Sequence, residues 1–154
     1  MKVYLVRHGE AVSSQSDPKR PLSKQGLADI RKVASFIRHL EISVGHIWHS
    51  GKLRAAQTAE ILAGFISVEK DCSAHEGLGP NDDVTIMAEE LEAYNADLMI
   101  VGHLPFLAYL ASLLTAGRQT ADVVSFDASS IACLNRSDLG RWQIEWMITP
   151  KLLT

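Results

Sequence analysis

Apolar and polar positions along this chain alternate between two periods. Residues 2–6 (KVYLV) form a short β-branched and aromatic run with the composition of a central strand. From Ser23 onward Leu27, Ile30, Val33, Ile37 and Leu40 recur at steps of three and four, the spacing of one helix face. A second short strand is expected at 46–49 (HIWH), with Ser50 as the N-cap of a helix over GKLRAAQTAEILAGF. FISVE reads as a third strand. Asn81 or Asp82 is placed to cap a helix carrying Val84, Met87, Leu91 and Tyr94, after which DLMIVGH patterns as a fully buried strand. Pro105 falls where the first turn of the next helix should start, a position that suits its missing N–H. SSIACLN and RWQIEWMI, separated by the turn-like RSDLG, pattern as an antiparallel hairpin. Together these elements imply an α/β fold: a three-layer α/β/α sandwich with a mainly parallel sheet and an antiparallel C-terminal edge.

At 154 residues, with no repeat, linker or low-complexity tract, a single domain over 1–154 is expected, large enough to bury a core without staples. The composition, 47% hydrophobic and 21% charged, is that of an ordinary globular protein. A formal net charge of -3 gives no general attraction to nucleic acid or membrane, so neither is expected as a partner and any anion site must be local. The opening run MKVYLV is too short for a signal peptide, which makes the cytoplasm the expected location. Cys72 and Cys133 have neither CxxC spacing nor a disulfide framework, and His46, His49 and His75 have no ligand-like spacing, so no metal and no cofactor is expected. His39, at the end of the first helix, reads as a surface residue favoured by the helix C-terminus.

Ligands of parallel sheets bind at the carboxyl ends of the strands, and three of those ends carry unusual residues. The first gives Arg7, His8 and Gly9; the second gives His49 and Ser50, with Arg54 one helical turn on; the fourth gives Gly102 and His103. Two arginines and two histidines then meet on one rim. The guanidinium fork matches phosphate oxygens, and helix N-termini add partial positive charge, so the expected ligand is a phosphoryl group. The connection from Gly9 to Leu22 is long for a structureless loop and suggests a rim or lid.

These residues resemble the histidine phosphatase superfamily, whose fold is shared with the cofactor-dependent phosphoglycerate mutases. LVRHGEA is similar to its signature, KRPLSKQG to the stretch after its first loop, HSGKLRAAQTAE to its Ser-x-x-x-Arg-x-x-Gln-Thr segment, and VGHLPFL to its second-histidine segment. The four lie in the family's order across residues 3 to about 110, and the short length with GHLP is most similar to the SixA-type phosphohistidine phosphatases. Gly51 departs from the proline common in the family. The resemblance implies that His8 is a nucleophile forming a phosphohistidine intermediate, and that Arg7 and Arg54 stabilise the transferring oxygens. The two arginines are also expected to keep the His8 imidazole neutral. His103 would be a phosphate donor, Gly9 would let the backbone pass close to the ligand, and Arg20 and Ser50 would bind the substrate. No metal is required by such a mechanism.

The implied partner is a protein carrying phosphorylated histidine, such as a phosphotransfer domain, and a short chain with little material for a lid favours a pocket open to a protein surface. Two alternatives stand beside this. One is a phosphatase for a small phosphomonoester, with Glu76 as general acid; Asp82 and Asp83 are the other carboxylates within HEGLGPNDD. The other is a non-catalytic phosphohistidine-binding module. The leaving group separates the first two. An alkoxide is very basic and needs a proton from an acid, whereas an imidazole, with a pKa of about 6.5, departs readily once protonated.

Overall fold

A computed structural model of the chain describes residues 1–153. Its centre is a six-stranded sheet in the order β3-β2-β4-β1-β5-β6, made of β1 (Lys2–Arg7), β2 (Ser43–His49), β3 (Ser67–Ala74), β4 (Leu98–Gly102), β5 (Ile131–Arg136) and β6 (Trp142–Ile148). The pairs from β3 through β1 are parallel, and β5 joins β1, and β6 joins β5, antiparallel. The helices are α1 (Lys24–Ile37), α2 (Leu53–Ala63), α3 (Val84–Ala93) and α4 (Phe106–Ala116).

The period-two alternation of the strands feeds two cores. Val3, Leu5, Leu98 and Ile100 point to one face, where they pack with Val84, Met87 and Leu91 of α3 and with Phe106, Leu107 and Leu110 of α4. Tyr4, Val6, Met99 and Val101 point to the other, against Ile30, Val33 and Ile37 of α1 and Ala55, Ala59 and Leu62 of α2. Each fully buried Leu, Ile or Val contributes about 1.5–3 kcal/mol. This is the α/β/α sandwich with an antiparallel C-terminal edge that the pattern implies.

β1 and β4 are neighbouring parallel strands, paired from Val3↔Leu98 to Arg7↔Gly102. The helices that follow them, α1 and α4, leave to opposite faces of the sheet. Their carboxyl ends therefore open a crevice at the point where the winding reverses. Arg7, His8, Gly102 and His103 lie at that point.

Several expected boundaries move. Leu40 is 46% exposed, because after Ile37 the helix tightens into a 3-10 turn over Arg38–Leu40 and the chain leaves it through Glu41 at φ 52. β2 begins at Ser43 rather than His46. β3 begins at Ser67 rather than Phe65, since the amides of Gly64 and Phe65 still bond back to Ile61 and Leu62 and close α2. Ser50 does not cap α2: Gly51 turns the chain at φ +88, and Lys52 occupies the N-cap position. Neither Asn81 nor Asp82 caps α3. Asp83 does so by accepting from the Thr85 amide, while Asp82 accepts from the Gly79 amide at 2.7 Å. Pro105 sits one position before α4, at its N-cap, and Tyr94 is the C-cap of α3.

Candidate active site

His8 follows β1 and its amide bonds to Gly102 O of β4 at 3.0 Å, so the sheet ladder carries the first histidine to the second. The His8 and His103 rings lie with centroids 4.9 Å apart, inclined by 53°. His8 Nδ1 is 2.7 Å from Gly9 O. A carbonyl only accepts, so Nδ1 carries the proton and the lone pair is on Nε2. His103 is 2% exposed, and its Nε2 lies 2.6 Å from Ser50 Oγ, which also accepts the Lys52 amide at 3.3 Å.

Three arginines surround the rings. Arg7 is steered by a hydrogen bond from its Nη1 to Phe126 O at 2.8 Å. Arg54 stands in the first turn of α2. Arg20 lies in the 10–22 loop with φ 49 and is tied by Nε to Val12 O at 3.1 Å. That loop is not structureless: Ala11 and Leu22 form a β-bridge, and the Val12 amide bonds to Pro21 O at 2.9 Å. None of the three arginines has a carboxylate partner among the described residues. Arg7 Nε, Arg54 Nε and His103 Nδ1 are buried without any hydrogen-bond partner. Buried polar atoms without partners are costly, and the two unpartnered guanidinium N–H groups here suit a site for an anion.

Burial is the main reason that the His8 pKa falls to about 4, with Arg54, Arg7 and Arg20 adding to the effect and the Gly9 hydrogen bond opposing it. The two arginines act in the expected direction, but desolvation leads and charge follows. For His103 burial again comes first, then His8, Arg54, Lys52 and Arg20, and its pKa falls to about 3. No carboxylate is among the charges bearing on either ring.

The structure brings together Arg7, His8, Gly9, Arg20, Ser50, Arg54 and His103. Glu76 is exposed and lines a groove with Ala74, His75, Gly77, Ile86 and Glu90. Asp83 is occupied as a helix cap, and its bonds with the Thr85 hydroxyl and amide hold its carboxyl below the usual range, so it stays ionised rather than serving as a proton donor near neutrality. Gly9 passes close to the protein itself rather than to open space. A Cβ there would come within 3.0 Å of Leu22 Cδ2, 3.1 Å of Ser129 Oγ and 3.3 Å of Gly26 O.

Two supporting side chains carry no role in the sequence reading, although the Gln-Thr pair of the matched segment points at them. Thr58, fully buried, donates to Arg54 O at 2.7 Å and accepts the Gly9 amide at 3.0 Å, so one hydroxyl ties the arginine's helix to the backbone beside His8. Gln57 accepts the Leu22 amide at 2.8 Å and fixes the loop that holds Arg20. The segment 126–130, which holds Arg7, gave no signal in the sequence at all.

Comparison with known proteins agrees with this geometry. The histidine phosphatase superfamily (branch 1) matches residues 3–79. Phosphohistidine phosphatase SixA of Escherichia coli is 27% identical, with 97% of this chain and 94% of that protein covered. A protein of a Picosynechococcus species is 32% identical over 77% of this chain and 75% of its own length. The structure of SixA complexed with tungstate superposes with a TM-score of 0.88 at 27% identity, covering 100% of both chains. Among the described residues no helix is long and apolar enough to cross a membrane.

Proposed function

The chain belongs to the histidine phosphatase superfamily, and on that premise we propose that it is a phosphohistidine phosphatase that hydrolyses phosphohistidine on a partner protein. One observation carries the choice of substrate: the side chains gathered on His8 and His103 are Arg7, Arg20, Arg54 and Ser50, and among the described residues no carboxylate is paired with any of them. Such a site suits a leaving group that needs little proton assistance. An imidazole qualifies and an alkoxide does not. The SixA relative carries the same activity in its name, and its complex with tungstate, a tetrahedral oxyanion, fits a cationic cage of this kind.

In the first step His8 Nε2, neutral because its ring is buried among cations, attacks phosphorus. The substrate enters with its phosphoimidazole protonated from solvent on the nitrogen away from phosphorus; the bond from phosphorus to the near nitrogen breaks, and the imidazole leaves as a neutral ring that keeps that proton. His8, now phosphorylated on Nε2, carries positive charge that the Nδ1–H bond to Gly9 O disperses. Arg7 and Arg54 hold the equatorial oxygens, with Arg20 adding charge from the loop; catalysis of phosphoryl transfer is chiefly positioning and electrostatics. The His103–Ser50 pair, with one of its two protons in the bond between them, supplies one neutral donor at the same oxygens. In the second step water attacks phosphorus, the bond to Nε2 breaks, and inorganic phosphate departs with the water's proton shared to solvent. Nothing in this route calls for a metal.

The reading treats residues 1–154 as one catalytic domain. It places the enzyme in the cytoplasm, a setting suited to the free thiols Cys72 and Cys133. The experiment is a direct comparison of kcat/KM on a phosphorylated histidine phosphotransfer domain and on alkyl and aryl phosphates. The phosphoprotein should be the best substrate. Preference for an alkyl phosphate would instead support the monoesterase with Glu76 as acid, and binding without turnover would support the non-catalytic module.

A further inference from the structure

The last residues before β5 do not continue the ladder with β1. Pairing runs regularly from Lys2↔Asn135 to Val6↔Ile131. One step further, Arg7 faces two residues instead of one: its amide donates to Ser130 O at 3.1 Å, while its carbonyl accepts from the Ser129 amide at 3.1 Å. This is a β-bulge, the device that ends strand pairing and re-aims a side chain beside active sites. The Ser129 amide also reaches His8 O at 3.3 Å, so a single N–H holds the carbonyls of both Arg7 and His8.

Ser129 is an expensive residue for that position. Its φ of 64 lies in the left-handed region, which glycine adopts freely and serine does not. Its hydroxyl is fully buried with no hydrogen-bond partner. Both costs would vanish with glycine. What the side chain does instead is fill the space over Gly9: Ser129 Oγ lies 3.1 Å from the point where a Gly9 Cβ would be. Gly9 is the residue whose carbonyl fixes the His8 tautomer and whose amide is bound by Thr58. The backbone that orients the imidazole is thus tied by Thr58 and walled by Ser129. A strained, unsatisfied side chain packed on this one glycine indicates that the strain serves the site.

We propose that Ser129 is a positioning residue for the reaction, holding the Gly9 carbonyl on His8 Nδ1 so that the lone pair of Nε2 stays aimed at the phosphoryl group. The inference rests on His8 being the nucleophile of the proposed function. It makes the wall steric: the oxygen contributes bulk and no hydrogen bond.

The test compares Ser129→Gly with Ser129→Cys. Glycine removes the strain and the orphaned hydroxyl, so a merely structural residue would yield a protein at least as stable and equally active. We expect the same or higher Tm, a kcat lower by about 10- to 10²-fold, the range of a small misplacement, and little change in KM. Nitrogen-15 NMR of the free enzyme should show His8 as the Nδ1–H tautomer in the wild type and as a mixture in Ser129→Gly. Cysteine restores the bulk and should restore both kcat and the single tautomer. Wild-type kcat and tautomer in Ser129→Gly, or loss of both in Ser129→Cys, would overturn the proposal. The tautomer needs no substrate, so if the wild type fails to turn over phosphohistidine the functional reading falls, and the tautomer comparison alone then decides the role of Ser129.

Discussion

The ring of His8 is held by its own neighbour: Nδ1 donates to the carbonyl of Gly9 at 2.7 Å, leaving Nε2 with the lone pair. A nucleophilic imidazole needs this division of labour between its nitrogens, together with a low pKa. Both come from where the chain leaves β1.

The low pKa makes the first prediction. An unfolded histidine titrates near 6.5, and the folded values are about 4 for His8 and about 3 for His103. Between those limits the unfolded chain binds more protons than the folded one. Stability from the two neutral rings is therefore complete above about pH 6.5 and is lost as pH falls toward the folded values. Proton NMR titration of the Cε1–H signals should find both rings neutral at pH 6, and saturating inorganic phosphate should raise both pKa values, because a bound anion favours imidazolium. A His8 midpoint near 6.5 without phosphate would contradict the account.

Removing either arginine should show in the rate. Arg7→Ala and Arg54→Ala should each lower kcat by about 10²- to 10³-fold, the cost of deleting one preorganised donor. Lysine should rescue only in part, because a point charge lacks the two-pronged fork. Single-turnover measurements check this, and full activity in either alanine variant would exclude that arginine from the site.

The hydroxyl of Thr58 links Arg54 O to the Gly9 amide. Thr58→Val keeps the shape but strands the amide, and should cost about 1–3 kcal/mol in urea denaturation, whereas Thr58→Ser should be close to wild type. Gly26→Ala should cost a similar or larger amount, since its Cβ would run into Glu10 O, a backbone atom that cannot rotate away.

A site without an acid makes a prediction about carboxylates. Glu76→Gln, Asp82→Asn and Asp83→Asn should each leave kcat/KM on a phosphohistidine protein nearly unchanged. A general acid for an alkyl ester would lose on the order of 10²- to 10⁴-fold when converted to its amide. A loss of that size in one variant on the preferred substrate would point to an alkoxide leaving group.

Much of this was legible in the sequence, and the failures have physical causes. KVYLV running into Arg7 and His8, and LMIVG running into His103, mark buried strands that stop on polar residues, and that contrast locates the crevice. The true β3, SVEKDCSA, is an edge strand with charges on it, so it lacks the alternation that a half-buried strand would show. The clamp at Ser129 was invisible for another reason: it depends on a left-handed serine meeting Arg7, a pairing distant in sequence that no local pattern encodes. Glu76 was drawn in by its place in the sequence, and in the fold it is exposed in a groove with His75, Ile86 and Glu90.

The central claim is that phosphate moves from a histidine on a partner protein to His8 and then to water. Rapid-quench analysis of a phosphotransfer domain carrying radiolabelled phosphohistidine tests it in one measurement. The account predicts acid-labile label appearing transiently on His8 before inorganic phosphate, and no labelled enzyme and no turnover in a folded His8→Ala variant. Label trapped on His103, or phosphate released at the wild-type rate by His8→Ala, would contradict it.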